Sequence, residues 1–220
     1  MSELSKQVQD VLKLYPDLSA KDTNNGYLIS GRFILNSEFS EIPLYDEYFI
    51  EMNVSLKFPT VIPTVREVSG NIPEDFEHIY ENKELCLGVS CDLYDFLACR
   101  PSIIDFLNGP VTSFFYTASY FKRYKTVPYG ERSHGIEGII EAYLERYQLS
   151  DIMQLITLLA YVAGIYKYRG HILCPCNSGK KFRNCHGQIV LQDLTSSRNE
   201  RFKKDAIDII GYYFNKKGER

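Results

Sequence analysis

The sequence predicts an α+β protein in which helices flank a small antiparallel sheet, a helical extension follows, and a short cysteine-rich segment lies near the end. Three observations support this fold class. Apolar and polar residues alternate through 48–58, which is typical of a half-buried strand. Other segments place their apolar residues at helical spacing. Three of the six cysteines and one of the four histidines lie within 174–186, a cluster too dense for packing alone.

The first third of the chain is expected to form a helix followed by strands. The apolar residues of 4–15 fall on one helical face, and Pro16 ends that helix. Pro59 and Pro63 break the chain between two of the strands. The segments expected to form an antiparallel meander are 26–36, 48–58 and 64–70.

Segment 71–101 shows no periodicity, and we expect an irregular loop there. Its Tyr, Phe, Leu and Cys content argues against disorder, and long ordered loops in compact domains are usually functional. A helix is expected to begin at Ser102, a favourable N-cap, and to run to about Tyr124. Further helices are expected at 136–147, 152–166 and 202–213.

Composition excludes several classes of protein. With 45% hydrophobic and 24% charged residues, the chain is expected to fold rather than to be disordered. Its first residues contain no apolar signal-peptide core, so we expect a cytoplasmic protein. The longest uncharged run, 152–166, is shorter than the roughly 20 residues that cross a bilayer, so no membrane span is expected.

Charge is distributed unevenly along the chain. Residues 1–170 hold 15 Lys and Arg against 23 Asp and Glu, net −8, whereas residues 171–220 hold 10 against 5, net +5. A basic segment can contact an acidic partner or a nucleic acid. Basic residues also offset the negative charge of a metal–thiolate centre, and this segment lacks the interleaved aromatic and basic residues of a nucleic-acid surface. We therefore do not expect nucleic acid to be the partner.

The cysteine-rich stretch CPCNSGKKFRNCHG carries the ligands of a zinc site. Cys174, Cys176, Cys185 and His186 follow the spacing CxCx8CH, and thiolate and imidazole are the usual donors to tetrahedral zinc. Pro175 and the turn residues after Cys176 allow the two halves to meet. Four protein ligands leave no position for water, so one structural zinc ion per chain is expected. The stretch resembles the SEC-C motif, a zinc knuckle that serves as a docking or stabilising appendage.

The order of elements in residues 1–124 resembles that of ubiquitin-conjugating (UBC-like) enzymes. The turn FPTVIP at 58–63 is similar to the FPxxYP turn of that family. In the sequence ELCLG, Cys86 stands where the family has its cysteine, and Tyr94, eight residues later, stands where the family often has Trp. The family's His-Pro-Asn tripeptide is absent, and His78 occupies the place of its Asn, eight residues before the cysteine.

The resemblance implies that Cys86 carries an acyl group as a thioester and passes it to an amine. His78 is then expected to donate a hydrogen bond to the oxyanion of the aminolysis step, and Asp92 to position or deprotonate the incoming amine. Cys91 and Cys99 lie in the same segment and compete for the role of nucleophile. A packed and inert Cys86 is the alternative, because cysteine is among the most buried residue types.

Two functions remain open on the sequence. The first is a bacterial conjugating enzyme similar to the UBC-like proteins of antiphage operons such as CBASS, which implies a protein substrate such as a cyclic-oligonucleotide synthase. The second is a catalytically inactive UBC-like scaffold or adaptor that binds a protein partner, and the missing tripeptide favours it. The expected domains are 1–124 (UBC-like), 125–170 (helical extension), 171–190 (zinc knuckle) and 191–220 (C-terminal amphipathic helix).

Overall fold

A computed structural model describes residues 2–128, 132–133 and 135–218. The chain divides into two compact units, Met1–Glu131 and Arg132–Arg220. The first unit contains the strands and the segment around Cys86. The second contains the segments for which the sequence predicts a helical extension, a knuckle and a terminal helix.

The first unit is built on one antiparallel sheet in which each strand pairs with the next strand along the chain. Its strands are β1 (Leu18–Thr23), β2 (Gly26–Phe39), β3 (Ile42–Ser55) and β4 (Thr64–Glu67). β2 and β3 pair over their whole length, from Gly26 opposite Ser55 to Phe39 opposite Ile42. The predicted α+β class and antiparallel meander are confirmed. The sequence does not predict β1, because its residues LSAKDT are mostly polar and exposed.

Helices complete the first unit. They are α1 (Glu3–Leu14), α2 (Ser90–Cys99), α3 (Ile103–Phe106) and α4 (Thr112–Tyr124), and a π-helical turn, Leu107–Val111, joins the last two. The helix predicted from Ser102 to Tyr124 is confirmed, and the Ser102 hydroxyl accepts a hydrogen bond from the backbone N–H of Asp105 at 3.3 Å. The expectation of an irregular loop as far as residue 101 is wrong, because α2 occupies its last part. Periodicity does not reveal α2, whose polar and apolar residues are not separated into clear faces.

The core of the first unit lies between one face of the sheet and α4. Alternate residues of β3 from Tyr48 to Val54 are at most 1% exposed, which confirms the period-two pattern. The Tyr48 ring stacks on Phe115 of α4 at a centroid distance of 4.2 Å, and its hydroxyl lies 2.6 Å from the Oγ atom of Ser119. Phe76, from the loop between β4 and α2, joins this core.

The second unit is helical. It contains α5 (Gly135–Arg146), α6 (Ile152–Val162), a 3-10 turn (Phe182–Asn184), α7 (Gly187–Thr195) and α8 (Asn199–Gly218). The three helices predicted here are present, but α6 ends at Val162 rather than at the predicted residue 166, and Gly164 follows with a φ of 78°. Asp151 caps α6 by accepting a hydrogen bond from the Met153 N–H at 2.7 Å. The sequence does not predict α7, which is short and follows the cysteine cluster directly. Among the residues that the structure describes, no helix combines the length and the apolar character needed to cross a membrane.

Candidate active site and candidate metal centre

A short hairpin between β4 and α2 brings Cys86 beside His78. Ile79 and Leu85 form an antiparallel bridge, and the Cys86 N–H donates to the His78 carbonyl oxygen at 2.9 Å. This register sets residues 78 and 86 opposite each other, so their side chains share one face. Lys83 lies in the connecting turn with a φ of 66°. The spacing of eight residues between His78 and Cys86 is therefore the span of the hairpin.

Buried groups hold the hairpin in place. The Leu85 N–H donates to the carbonyl oxygen of Val65 in β4 at 2.8 Å, and Leu85 itself is buried. The buried Phe76 ring contacts the His78 ring at a centroid distance of 4.9 Å and the Phe114 ring of α4 at 5.7 Å. The sheet and α4 thus fix the positions of both His78 and Cys86.

Three hydrogen-bond donors converge on the Cys86 sulfur. The His78 side chain and the Gly88 backbone N–H both hydrogen-bond to it, and the Tyr80 hydroxyl donates at 3.2 Å. The hydrogen bond from His78 is the largest influence on the pKa of the Cys86 thiol, and the three donors together hold this pKa below its ordinary value despite partial burial. Since the thiolate is the nucleophilic form, the site increases its share at neutral pH.

The other candidate residues, which lie in the sequence after Cys86, differ in exposure. Cys91 is fully buried in α2, and Cys99 is exposed at the end of that helix. Asp92 lies half-buried in the first turn of α2, where its Oδ1 atom is 3.8 Å from the Cys91 sulfur. Cys86 is half-buried, between these two cases, and protein groups hydrogen-bond to its sulfur. This combination suits a nucleophile better than full burial or full exposure does.

Two residues of this site are absent from the sequence prediction. Tyr80 lies two residues after His78 and therefore points to the same face of an extended segment. That spacing identifies Tyr80 as a neighbour of Cys86 once the hairpin register is known, but the sequence alone does not give the register. The Gly88 backbone N–H carries no side-chain signal at all, although its φ of 136° is one that favours glycine.

A second cluster lies in the second unit, where four predicted ligands meet. The donor atoms of Cys174, Cys176, Cys185 and His186 all lie within 4.8 Å of one another. A hairpin carries the first two ligands, with a bridge between Leu173 and Lys181. The second two ligands follow the 3-10 turn and lie at the start of α7.

The distances within this cluster fit a tetrahedral metal ion. The Cys176 and Cys185 sulfurs are 3.6 Å apart, and the Nδ1 atom of His186 is 3.4 Å from the sulfurs of both Cys174 and Cys185. With zinc bond lengths of about 2.3 Å to sulfur and about 2.0 Å to nitrogen, a tetrahedron gives edges of about 3.8 and about 3.5 Å. The four residues could therefore hold one metal ion with no change of fold.

The protein around this cluster orients its histidine. The Nε2 atom of His186 lies 2.8 Å from the carbonyl oxygen of Tyr147, directly after α5, which leaves Nδ1 toward the three sulfurs. Such an outer hydrogen bond is the usual way in which proteins fix the ring of a metal-binding histidine. The buried Phe182 ring also packs against Tyr161 of α6 at a centroid distance of 4.9 Å. Both contacts join the cluster to the helices.

The three thiols of the cluster have different environments. Burial raises the pKa of the Cys174 thiol. At Cys176 burial also acts to raise the pKa, but hydrogen bonds with Ser178, Cys174 and Cys185 together outweigh it and lower the pKa to about 6. A metal binds the thiolate form of each of these cysteines.

A comparison with protein-family models matches the SEC-C motif at residues 173–188. These residues include all four members of the cysteine and histidine cluster. The comparisons with curated proteins and with solved structures returned no match to the chain. Metal binding in the second unit is thus supported by both the motif and the geometry, while the first unit must be interpreted from its own residues.

Proposed function

We propose that the first unit is a UBC-like acyl carrier, in which Cys86 holds a protein C-terminus as a thioester and passes it to an amine. The observation that carries this proposal is the convergence of His78, Tyr80 and Gly88 on the sulfur of a half-buried cysteine. Hydrogen bonds to the thiolate stabilise it both as the attacking nucleophile and as the leaving group of the transfer step. An inert packing cysteine needs none of these donors.

The other residues receive roles that follow from the same step. His78 donates to the oxyanion that forms when the amine attacks the thioester carbonyl. Asp92, in the first turn of α2, positions or deprotonates the amine. The combination of a UBC-like order of elements with a C-terminal zinc knuckle resembles the UBC-like proteins of bacterial antiphage operons such as CBASS. This resemblance supports a cytoplasmic protein whose substrate is another protein, with a cyclic-oligonucleotide synthase as the candidate.

The metal of the second unit, in this proposal, is one zinc ion per chain with a structural role. Three thiolates and one imidazole form a closed tetrahedral set with no position for a substrate or water. The net charge of such a centre is −1, and Lys180, Lys181 and Arg183 in the same segment offset it. Zinc therefore stabilises the second unit and takes no part in acyl transfer.

The test is intact-mass spectrometry of the protein co-expressed with its neighbouring genes, with and without a thiol reductant. A covalent adduct that the reductant removes is expected, and Cys86→Ser should convert it into a more stable ester. Cys91→Ser and Cys99→Ser should leave adduct formation intact. An adduct that persists in Cys86→Ala, or no adduct under any of these conditions, would leave the inactive scaffold as the function; the absent His-Pro-Asn tripeptide already favours that alternative.

A further inference from the structure

We propose that Cys86 and His78 load the carrier directly from an ester or amide bond of the acyl donor, with His78 as the acid for the leaving group. This inference rests on the proposed function and names its donor class. A donor of this class needs no earlier conversion to a thioester. His78 then has a role in loading as well as in transfer.

Loading from an ester or amide differs from thioester exchange in the leaving group of the acyl donor. A thiol leaves a thioester as a stable thiolate, so a cysteine that only exchanges thioesters needs no acid beside it. An alkoxide or an amide anion is a far poorer leaving group, and it departs readily only when a proton is supplied as the bond breaks. A histidine that hydrogen-bonds to the attacking sulfur is the group that supplies this proton in cysteine nucleophile pairs.

Loading of Cys86 from the donor begins with a proton transfer. Cys86 transfers its proton to His78, and the thiolate attacks the carbonyl carbon of the donor, forming the C–S bond and an oxyanion. When the oxyanion collapses, the C–O or C–N bond breaks and the imidazolium of His78 gives its proton to the departing oxygen or nitrogen. The products are the acyl thioester on Cys86, neutral His78 and an alcohol or amine. In the transfer step an amine attacks the thioester carbon and loses its proton to Asp92, His78 donates a hydrogen bond to the oxyanion, and the C–S bond breaks as the thiolate leaves.

The geometry suits the transfer of a proton from Cys86 to His78 and then to the leaving group. The hairpin register and the contact with Phe76 hold the His78 ring in place beside the sulfur. Tyr80, at 3.2 Å, and the Gly88 N–H hydrogen-bond to the same sulfur. These two donors stabilise the thiolate before it attacks the donor and again when it leaves in the transfer step. Tyr80 is therefore a positioning and stabilising residue, and the acid is His78.

Two acetyl esters with different leaving groups test the proposal. p-Nitrophenyl acetate releases a stable anion, whereas phenyl acetate releases phenolate, whose conjugate acid has a pKa of about 10, like tyrosine. Acetylation of Cys86 is measured by mass spectrometry, and phenol release by absorbance, at neutral pH. His78→Gln keeps a hydrogen-bond donor but cannot transfer a proton, and His78→Asn is a second variant of the same kind. Tyr80→Phe removes a donor without removing the acid, and Cys99→Ser controls for the exposed thiol.

In His78→Gln and His78→Asn, the rate of Cys86 acetylation by phenyl acetate should fall about tenfold or more relative to the rate with p-nitrophenyl acetate. In Tyr80→Phe both rates should fall together. Equal losses with both esters in the His78 variants would overturn the proposal and leave a carrier loaded only from thioesters. No acetylation of Cys86 by p-nitrophenyl acetate in the unaltered protein would overturn the proposed function as well.

Discussion

At the scale of single residues, individual hydrogen bonds to Cys86 shift the balance between its thiol and its thiolate. His78, Tyr80 and Gly88 each favour the thiolate over the thiol, and burial alone would favour the thiol. The eight-residue spacing from His78 is visible in the sequence, and the structure converts it into a cross-strand pair. The histidine therefore lies against the sulfur itself, in addition to the role toward an oxyanion that the family resemblance implies.

Tyr80→Phe should make Cys86 less reactive at neutral pH. The variant loses a hydrogen bond to the thiolate, so the thiol pKa should rise and alkylation at pH 7 should slow by up to about tenfold. The rate of iodoacetamide modification of Cys86, measured from pH 5 to 10 by peptide mass spectrometry in a Cys99→Ser background, gives the midpoint. A midpoint that stays the same in Tyr80→Phe, or a Cys86 that reacts only after denaturation, would contradict this account.

At the scale of elements, hairpins and turns bring each site together. The 78–86 hairpin creates the cysteine–histidine pair, and the 3-10 turn with the start of α7 closes the metal cluster. A Cβ atom on Gly187 would overlap the carbonyl oxygen of Phe182, so this turn requires glycine at the first residue of α7. Gly211, in α8, has nothing within 4 Å of the same added atom.

Gly187→Ala and Gly211→Ala should therefore change stability in opposite directions. The first should lower the free energy of unfolding of the second unit by about 1–3 kcal/mol through overpacking. The second should raise it by up to about 1 kcal/mol, because alanine is the better helix former. Urea unfolding followed by circular dichroism with metal present measures both. A neutral or stabilising Gly187→Ala would show that the turn does not need the close approach.

The elements also show what sequence patterns can and cannot predict. The strong period-two pattern of β3 and the helical spacing in α1, α4, α5, α6 and α8 identify those elements, because each buries one side or most of its surface. The sequence does not predict β1, α2 or α7, because these elements are short or weakly patterned and none of them shows a clear hydrophobic period. The metal ligands are predicted from local spacing, whereas Tyr80 and Gly88 depend on a hairpin register that only tertiary packing sets.

At the scale of the whole molecule, the two units rely on different sources of stability. The first unit has an apolar core of strands packed on α4. In the second unit the metal cluster contacts α5 through His186 and Tyr147, and α6 through Phe182. Metal binding is folding energy at such a site, because the unfolded chain cannot present the four ligands together.

Removal of the metal should therefore destabilise the second unit and spare the first. Treatment with a strong chelator, or Cys176→Ser, should increase hydrogen exchange in residues 168–195 and in α5 and α6. The backbone of β2 and β3 should keep its protection in the same sample. One equivalent of zinc is expected by elemental analysis of protein purified without chelator. Unchanged exchange in the second unit after complete metal removal would contradict a structural role.

The basic segment should not make the protein a nucleic-acid binder. In the proposed zinc site, three thiolates give the centre a negative charge that offsets part of the net +5 of residues 171–220. Binding to a random DNA or RNA duplex, measured by fluorescence anisotropy at physiological salt, should be weaker than micromolar. Sub-micromolar binding with a steep dependence on salt would assign the segment to nucleic acid instead.

If Cys86 carries a partner's C-terminus as a thioester, peptide mass spectrometry of the purified adduct should locate the junction at this cysteine. After protease digestion at mildly acidic pH, we expect a peptide containing Cys86 joined to the last residues of a partner protein, with a mass lower than the sum of the two peptides by one water. Reductant or hydroxylamine should release the partner's peptide and restore the free thiol. A junction at Cys91, Cys99 or a lysine, with Cys86 unmodified throughout, would contradict the claim.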